Sequence, residues 1–126
     1  MRNETRTYRY LKQLFPKSEI IRQYRIKEKI YLDGKLIRSY VKPDFYLIID
    51  DVKWIVEYNG KQHYELTGKT GRKFGGKKGL AERQARDEWL RQYCKKKNIR
   101  LLEIDGRKYV KEKIKAEIED KMIKQS

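Results

Sequence analysis

The chain has 126 residues, 33 of them Lys or Arg and 18 of them Asp or Glu, which gives a formal charge of +15 at neutral pH. This length fits a single domain, 1–126. The basic excess predicts a polyanionic partner, with nucleic acid as the first choice. The single Cys94 excludes an intramolecular disulfide, and one cysteine with one histidine excludes a structural zinc site. Because no apolar run resembles a membrane span or a signal peptide, we expect a cytoplasmic protein without a membrane partner.

The first third of the chain predicts a helix followed by strands. Residues 3–14 predict a helix, because their apolar side chains recur at helical spacing. Residues 19–31 are rich in Ile and Tyr and predict a strand. The pair Asp33-Gly34 is typical of a hairpin turn, so residues 36–41 are expected to return antiparallel.

Two more strands are predicted around a second turn. Pro43 marks a bend, after which residues 44–49 continue as a strand. Asp50-Asp51 predicts the turn, and residues 53–59 alternate in polarity. The alternation places Trp54, Val56 and Tyr58 on one face and Ile55, Glu57 and Asn59 on the other.

The second half predicts a loop, two helices and one strand. Residues 65–79 hold five glycines and five basic residues and predict a basic, glycine-rich loop. Residues 80–97 predict a helix that ends at Asn98, and residues 100–104 predict a buried strand parallel to the sheet. Residues 108–124 predict a charged helix. The order α-β-β-β-α-β-α predicts an α/β (α+β) fold, a small mixed sheet of about four strands flanked by helices.

Two acidic residues stand out in this basic chain. Asp44 opens one predicted strand and Glu57 closes the next, so an antiparallel hairpin would bring the two carboxylates together. Mg²⁺ binds oxygen ligands and needs only one or two carboxylates plus a substrate phosphate. It can activate water, neutralise a phosphate and stabilise a leaving oxygen. The pair therefore predicts a Mg²⁺ site, which Mn²⁺ can also occupy, although a carboxylate on an apolar strand can also simply face solvent.

These residues resemble a known group of nucleases. Pro43-Asp44 followed by Glu57 resembles the PD-(D/E)XK nuclease superfamily. A branch of it, related to very-short-patch repair endonucleases and to phage and intron-associated homing endonucleases with a Glu-Asp-His-Asp signature, is similar over about residues 3–105. The similarity is carried by Glu57-Tyr58-Asn59-Gly60-Lys61-Gln62-His63-Tyr64, Arg86-Asp87, Tyr93-Cys94 and Ile99-Arg100-Leu101-Leu102-Glu103-Ile104. It implies a restriction-endonuclease-like core, in the host cytoplasm if a phage encodes the protein.

The resemblance also implies roles for residues of the central segment. It implies metal ligation by Asp44, Glu57 and the backbone carbonyl of Tyr58. The usual lysine two residues after the glutamate is Asn59 here, which leaves open which group orients the water. His63 is implied to be functional, and its ordinary pKa suits a general base or proton shuttle; a surface imidazole is the alternative. Lys61 and Gln62 are near enough to substitute for the lysine.

Two more acidic residues match the branch. Asp87 matches its helical aspartate, although a helix salt bridge with Arg83 or Arg91 is an equal alternative. Glu4 matches its N-terminal glutamate, although it could merely complement the helix dipole.

Basic side chains of the loop and of the following helix predict contacts with DNA phosphates. These side chains are Lys69, Arg72, Lys73, Lys77, Lys78 and Arg83. A second basic group lies in the first predicted strand, at Arg22, Arg25, Lys27 and Lys29. No helix-turn-helix or zinc-finger module is visible in the sequence. The helix at 108–124 could cover the sheet or form a homodimer surface.

The sequence thus favours a metal-dependent DNA endonuclease of a homing, phage or repair type. One alternative is a nuclease that resolves branched DNA junctions. An alternative of another class is a nucleic-acid-binding protein without catalysis, but such a protein has no need for an acidic pair within a basic chain.

Overall fold

A computed structural model describes residues 3–60, 76–108 and 112–124. It shows a four-stranded mixed sheet, a separate two-stranded sheet and three α-helices among these residues, which confirms the predicted fold class. In chain order the elements are α1 (Asn3–Leu14), β1 (Ile20–Arg22), β2 (Ile30–Leu32), β3 (Lys35–Arg38), β4 (Phe45–Ile49), β5 (Val52–Asn59), α2 (Gly76–Lys96), β6 (Arg100–Asp105), α3 (Glu112–Glu119) and a π-helix (Asp120–Lys124). None of the helices in these ranges is long and apolar enough to cross a membrane.

The main sheet has the strand order β1-β4-β5-β6. β4 pairs antiparallel with β5, and β6 pairs parallel with β5, as the sequence predicted. β4 also pairs antiparallel with β1, which the sequence did not predict. The sheet separates two apolar clusters. On the α1/α3 face, Phe45 and Val56 pack with Leu11 and Ile114. On the α2 face, Ile55 packs with Leu90 and Cys94 of α2. The predicted alternation of residues along β5 is therefore confirmed.

Left-handed backbone conformations form both predicted hairpin turns. Asp33 and Gly34 have φ of 51° and 77°, and Asp50 and Asp51 have φ of 49° and 66°. Two successive positive φ values define the type I′ turn, which matches the twist of the strands it joins. Aspartate tolerates this conformation because its short side chain can hydrogen-bond locally.

The predicted strand at 19–31 is wrong in its middle. β1 ends at Arg22, because Gln23 adopts a positive φ of 55°, and the chain forms a strand again only at Ile30. Between them only Ile26 bridges to Val41. As a result, β2 and β3 form a hairpin of their own, and the predicted strand 36–41 does not join the main sheet.

Two predicted boundaries are also corrected. α2 begins at Gly76, so residues 76–79 are helical and not part of a loop, whereas residues 65–75 lie outside the described residues. The last helix, predicted at 108–124, begins at Glu112 in the described part of the chain. Lys108 lies in a turn, and residues 120–124 are π-helical. Asn98 ends α2 as predicted: its φ is 57°, and the Ile99 N–H donates to the Cys94 carbonyl at 2.8 Å.

Candidate active site

Asp44 and Glu57 lie opposite each other where β4 begins and β5 ends. The antiparallel register pairs Phe45, the first residue of β4, with Val56, so Asp44, which directly precedes β4, lies beside Glu57, whose pKa its negative charge helps to raise. The Tyr58 N–H donates to Asp44 Oδ2 at 2.8 Å, which fixes that carboxylate against the end of β5. The structure therefore brings together the two acidic residues on which the sequence analysis depends.

Glu57 is buried, with 4% of its surface exposed, and contacts a cation. Arg86 Nη2 lies 2.8 Å from Glu57 Oε1. The same guanidinium donates from Nη1 to Asp87 Oδ1 at 3.2 Å and from Nη2 to the Lys42 carbonyl at 3.1 Å. Arg86 thus joins α2 to the ends of two strands, and a charge buried at this depth requires such partners.

The electrostatics of this cluster follow from burial and from neighbouring charges. Burial raises the pKa of Glu57 well above its ordinary value. The positive charge of Arg86 opposes that shift, while the negative charges of Asp44 and Asp87 add to it. Burial alone would lower the pKa of Arg86, but Glu57 and Asp87 outweigh it and raise that pKa. The guanidinium therefore stays charged and holds an acidic cluster together.

The helix aspartate lies in the same cluster. Asp87 is 5% exposed and contacts Arg86. Arg91, one of its two predicted partners, instead lies 2.8 Å from Glu103 and 3.2 Å from Glu88. Asp87 therefore belongs to the group of charges around Glu57. The main ionic contacts of Arg91 are with Glu103 and Glu88, and not with Asp87 as the alternative prediction had it.

The position at which the resemblance implies a lysine holds a buried amide. Asn59 is 1% exposed and donates from Nδ2 to Glu103 Oε1 at 3.3 Å. Glu103 in turn accepts from Arg91, so Asn59 is directed toward the middle of the β5–β6 pair. Arg86, from a helix and not from β5, is the cation that contacts Glu57.

Glu4 lies at the same end of the sheet. Its Oε1 accepts a hydrogen bond from Gln23 Nε2 at 3.2 Å, and Arg22 Nη2 lies 3.8 Å away. The backbone N–H of Gln23 donates to the Asp44 carbonyl at 3.0 Å. Asn3 Nδ2 donates to the Tyr58 hydroxyl at 2.8 Å, which fixes the start of α1 against β5. Glu4 is therefore connected to Asp44 through Gln23, in addition to any interaction with the helix dipole.

The acidic pair supplies part of what a metal ion needs. Within residues 3–60, 76–108 and 112–124, no group of three or more His, Cys, Asp and Glu side chains is arranged to hold one. Asp44 and Glu57 nevertheless offer hard oxygen donors. Carboxylate oxygens are the ligands that Mg²⁺ prefers, so the residue types present are compatible with the predicted Mg²⁺ site.

The backbone carbonyl of Tyr58 is directed to the same side. The carbonyl of the next residue, Asn59, accepts from the Gly106 N–H at 2.7 Å, on the β6 side of the strand. Because successive residues of a strand direct their backbone groups to opposite neighbours, the Tyr58 carbonyl points toward the β4 side, where its own N–H meets Asp44. This orientation is compatible with its predicted part in metal ligation.

Several predicted site residues lie outside the described residues. They are Lys61, Gln62, His63, Lys69, Arg72 and Lys73. Of the other predicted DNA contacts, Lys77 and Lys78 are exposed in the first turn of α2. Arg83 is half-buried further along the helix, so its guanidinium is less accessible to a phosphate than the sequence analysis assumed.

Sequence reasoning assigned no role to Arg86 or to Gln23. Arg86 precedes Leu90 by one helical turn, and Leu90 is one of the apolar residues that predict the helix at 80–97. An arginine on the buried side of a helix requires a carboxylate partner, and that spacing could have revealed it. Gln23 carries no comparable signal, because its role depends on an unusual backbone conformation.

Comparisons with known proteins give no support for or against the resemblance: no family model, no curated protein and no solved structure matches the chain.

Proposed function

We propose that the protein is a metal-dependent DNA endonuclease that hydrolyses phosphodiester bonds. The observation that carries the proposal is the placement of Asp44 beside Glu57 at one end of the sheet, in a chain of charge +15. Burying a carboxylate such as Glu57 is costly, and its position beside Asp44 and Asp87 supports a chemical role.

The chain's own residues have distinct roles in this proposal. Asp44 and Glu57 hold the ion, with the Tyr58 carbonyl beside them. When bound, Mg²⁺ supplies a Lewis acid that lowers the pKa of water and neutralises the scissile phosphate. The Tyr58 N–H orients Asp44, and Arg86 orients Glu57 and opposes part of the rise in its pKa that burial causes. His63, Lys61 or Gln62, which follow Gly60 directly, would orient the attacking water.

One observation favours a second candidate, a nucleic-acid-binding protein without catalysis. The Glu57–Arg86 pair, at 2.8 Å, already satisfies the buried carboxylate without a metal ion. Such a pair can serve a purely structural purpose in the α2 face. Under this alternative the basic surface binds nucleic acid, and the acidic cluster only stabilises the fold.

A cleavage assay with matched variants separates the two candidates. We would incubate supercoiled plasmid with the wild type, with Asp44→Asn and with Asp50→Asn, in Mg²⁺ or Mn²⁺ and in EDTA. Asp44→Asn keeps an oxygen that can accept from the Tyr58 N–H, whereas Asp50→Asn makes the same change of charge in an exposed turn at the far end of β4. We expect metal-dependent cleavage by the wild type and Asp50→Asn, and a loss of about 100-fold or more in Asp44→Asn.

Binding measured in EDTA completes the test. Asp44→Asn should bind duplex DNA at least as tightly as the wild type, because the substitution removes a negative charge that repels phosphates when no metal is bound. Equal cleavage by Asp44→Asn and Asp50→Asn would remove Asp44 from the mechanism. Binding without cleavage of duplex, single-stranded, four-way-junction and RNA substrates would favour the second candidate.

A further inference from the structure

The β2–β3 hairpin is a two-stranded ribbon outside the main sheet. Its inner side packs on the α2-face cluster through Ile30 and Ile37. Its outer side carries Tyr31 and Leu36, which pair across the strands and are 57% and 48% exposed. The hairpin is therefore anchored on one side, and its other side is exposed to solvent over its described length.

Positive charge dominates this part of the chain. Between residues 22 and 42 there are seven basic residues, Arg22, Arg25, Lys27, Lys29, Lys35, Arg38 and Lys42, and two acidic residues, Glu28 and Asp33. All seven basic side chains are exposed except Lys42, which is half-buried. We call the segment 25–42 the basic ribbon. Within it, six basic residues outnumber two acidic residues.

An aromatic side chain lies among these cations. Tyr40 is 41% exposed. The guanidinium of Arg25 lies 4.4 Å from the centre of its ring, and the ammonium of Lys42 lies 5.3 Å from it. The ring holds both cations on this surface by cation–π contact, where they are available to bind phosphates.

The basic ribbon is joined directly to the candidate active site. Its last residue, Lys42, gives its carbonyl to Arg86 at 3.1 Å, and Asp44 follows two positions later. A cleft of about 370 Å³ separates the ribbon from the first turns of α2; Lys35 and Asp33 line it on the ribbon side, and Lys78 and Glu82 line it on the helix side. A phosphate backbone bound by the ribbon would therefore run toward the acidic cluster.

We infer that the basic ribbon is the surface on which the protein binds duplex nucleic acid, with its cations on the phosphates. This inference rests on the proposed function and deepens it by naming a double-stranded substrate. The major groove of duplex DNA is about 12 Å wide and admits a two-stranded ribbon. The exposed cations of the hairpin, Lys29, Lys35 and Arg38, match the charge of the phosphates that border that groove.

The inference can be tested with two triple variants of equal charge. The ribbon triple is Lys29→Gln, Lys35→Gln and Arg38→Gln. The control triple is Lys95→Gln, Lys96→Gln and Lys97→Gln, three exposed cations at the other end of α2. Fluorescence anisotropy with a labelled duplex and with a single strand of the same length, at several salt concentrations and in EDTA, gives affinities and their salt slopes.

We expect the duplex affinity of the ribbon triple to fall about tenfold or more at physiological salt. Its salt slope should decrease by about 0.9 for each phosphate that the variant no longer neutralises. The control triple should keep nearly the wild-type slope. The ribbon triple should lose less affinity for the single strand than for the duplex. Equal duplex effects in the two triples, or a larger effect on the single strand, would overturn the inference.

Cleavage by the wild type reports on the proposed function separately. If the wild type cleaves DNA and the two triples bind it equally, the ribbon inference fails and the nuclease proposal stands. If the wild type cleaves no substrate but the ribbon triple alone loses duplex binding, the nuclease proposal fails and the ribbon inference stands. A thermal melt of each triple confirms that the compared proteins are folded.

Discussion

The two faces of the main sheet are built from different chemistry. On the α1/α3 face the strands meet helices through apolar side chains such as Phe45, Val56 and Ile118, all fully buried. On the α2 face the cluster around Ile55 is bordered by Glu57, Asn59 and Asp87, all buried as well. Apolar burial stabilises the first face, whereas burial on the second face raises the pKa of a carboxylate and requires an arginine to offset it.

Along β5, residues that stabilise the fold alternate with residues of the candidate active site. Successive residues of β5 point to opposite faces, so Val56 and Tyr58 serve the α1/α3 face while Glu57 serves the other. A strand held firmly by apolar packing can present a charged group on its reverse side in a fixed position. Substitutions on each side of the strand can therefore test whether the two faces are as different as their contacts indicate.

The largest effect is expected on the α1/α3 face. Phe45→Ala removes a fully buried ring and leaves a cavity, which should lower the free energy of unfolding by about 4 kcal/mol. Urea unfolding followed by circular dichroism measures it. Ile48→Ala on the same strand is the control, because that side chain is 47% exposed and should cost less than about 1 kcal/mol. Similar destabilisation in both variants would show that this face is not tightly packed.

The second effect concerns the cation of the α2 face. Arg86→Ala leaves Glu57 and Asp87 buried without their shared partner, which should cost about 3 kcal/mol. The control is Arg91→Ala, which breaks a largely exposed set of ion pairs and should cost about 1 kcal/mol or less. Chemical denaturation of both at neutral pH gives the comparison. A destabilisation no larger in Arg86→Ala than in Arg91→Ala would contradict the view that the α2 face depends on this cation.

Local signals in the sequence predicted the part of the fold that carries Asp44 and Glu57. Asp50-Asp51 predicted the turn, and the alternation of residues 53–59 predicted the two faces, because turn chemistry and strand periodicity depend on neighbouring residues. The break at Gln23 could not be predicted, since a positive φ at glutamine leaves no trace in composition. The contact of Arg86 with Glu57 joins residues 29 positions apart, and its pairing depends on how α2 crosses the sheet.

The third effect concerns the close approach of Gly106, directly after β6, to the end of β5. A Cβ atom on Gly106 would lie 2.6 Å from the Tyr58 hydroxyl and 2.8 Å from the Asn59 carbonyl oxygen, so Gly106→Ala should displace the end of β6 and cost about 2 kcal/mol. Gly34→Ala is the control. Its Cβ would meet nothing within 4 Å, and its φ of 77° alone should cost about 1 kcal/mol. Thermal unfolding compares them, and a larger destabilisation in Gly34→Ala would show that the close approach at Gly106 is easily relieved.

The smallest expected effect is a pH dependence specific to the α2 face. Burial raises the pKa of Glu57 in the folded protein above its ordinary value of 4.5. Between that value and the raised pKa, the folded state binds more protons than the unfolded state, so this group lowers stability as pH rises. The slope contributed by one group is less than about 1.4 kcal/mol for each pH unit.

Glu57→Gln removes the titrating group while Asp87 and the Lys42 carbonyl still contact Arg86. The difference in unfolding free energy between the wild type and Glu57→Gln should therefore decrease steadily as pH rises from about 4.5 toward neutrality. Glu112→Gln, at an exposed residue in the first turn of α3, makes the same change of charge and gives the reference curve. Urea midpoints measured at half-unit steps of pH give both curves. A difference that increases with pH for Glu57→Gln would mean that the attraction of Arg86 outweighs burial, and the α2 face would then stabilise its carboxylate in the charged form.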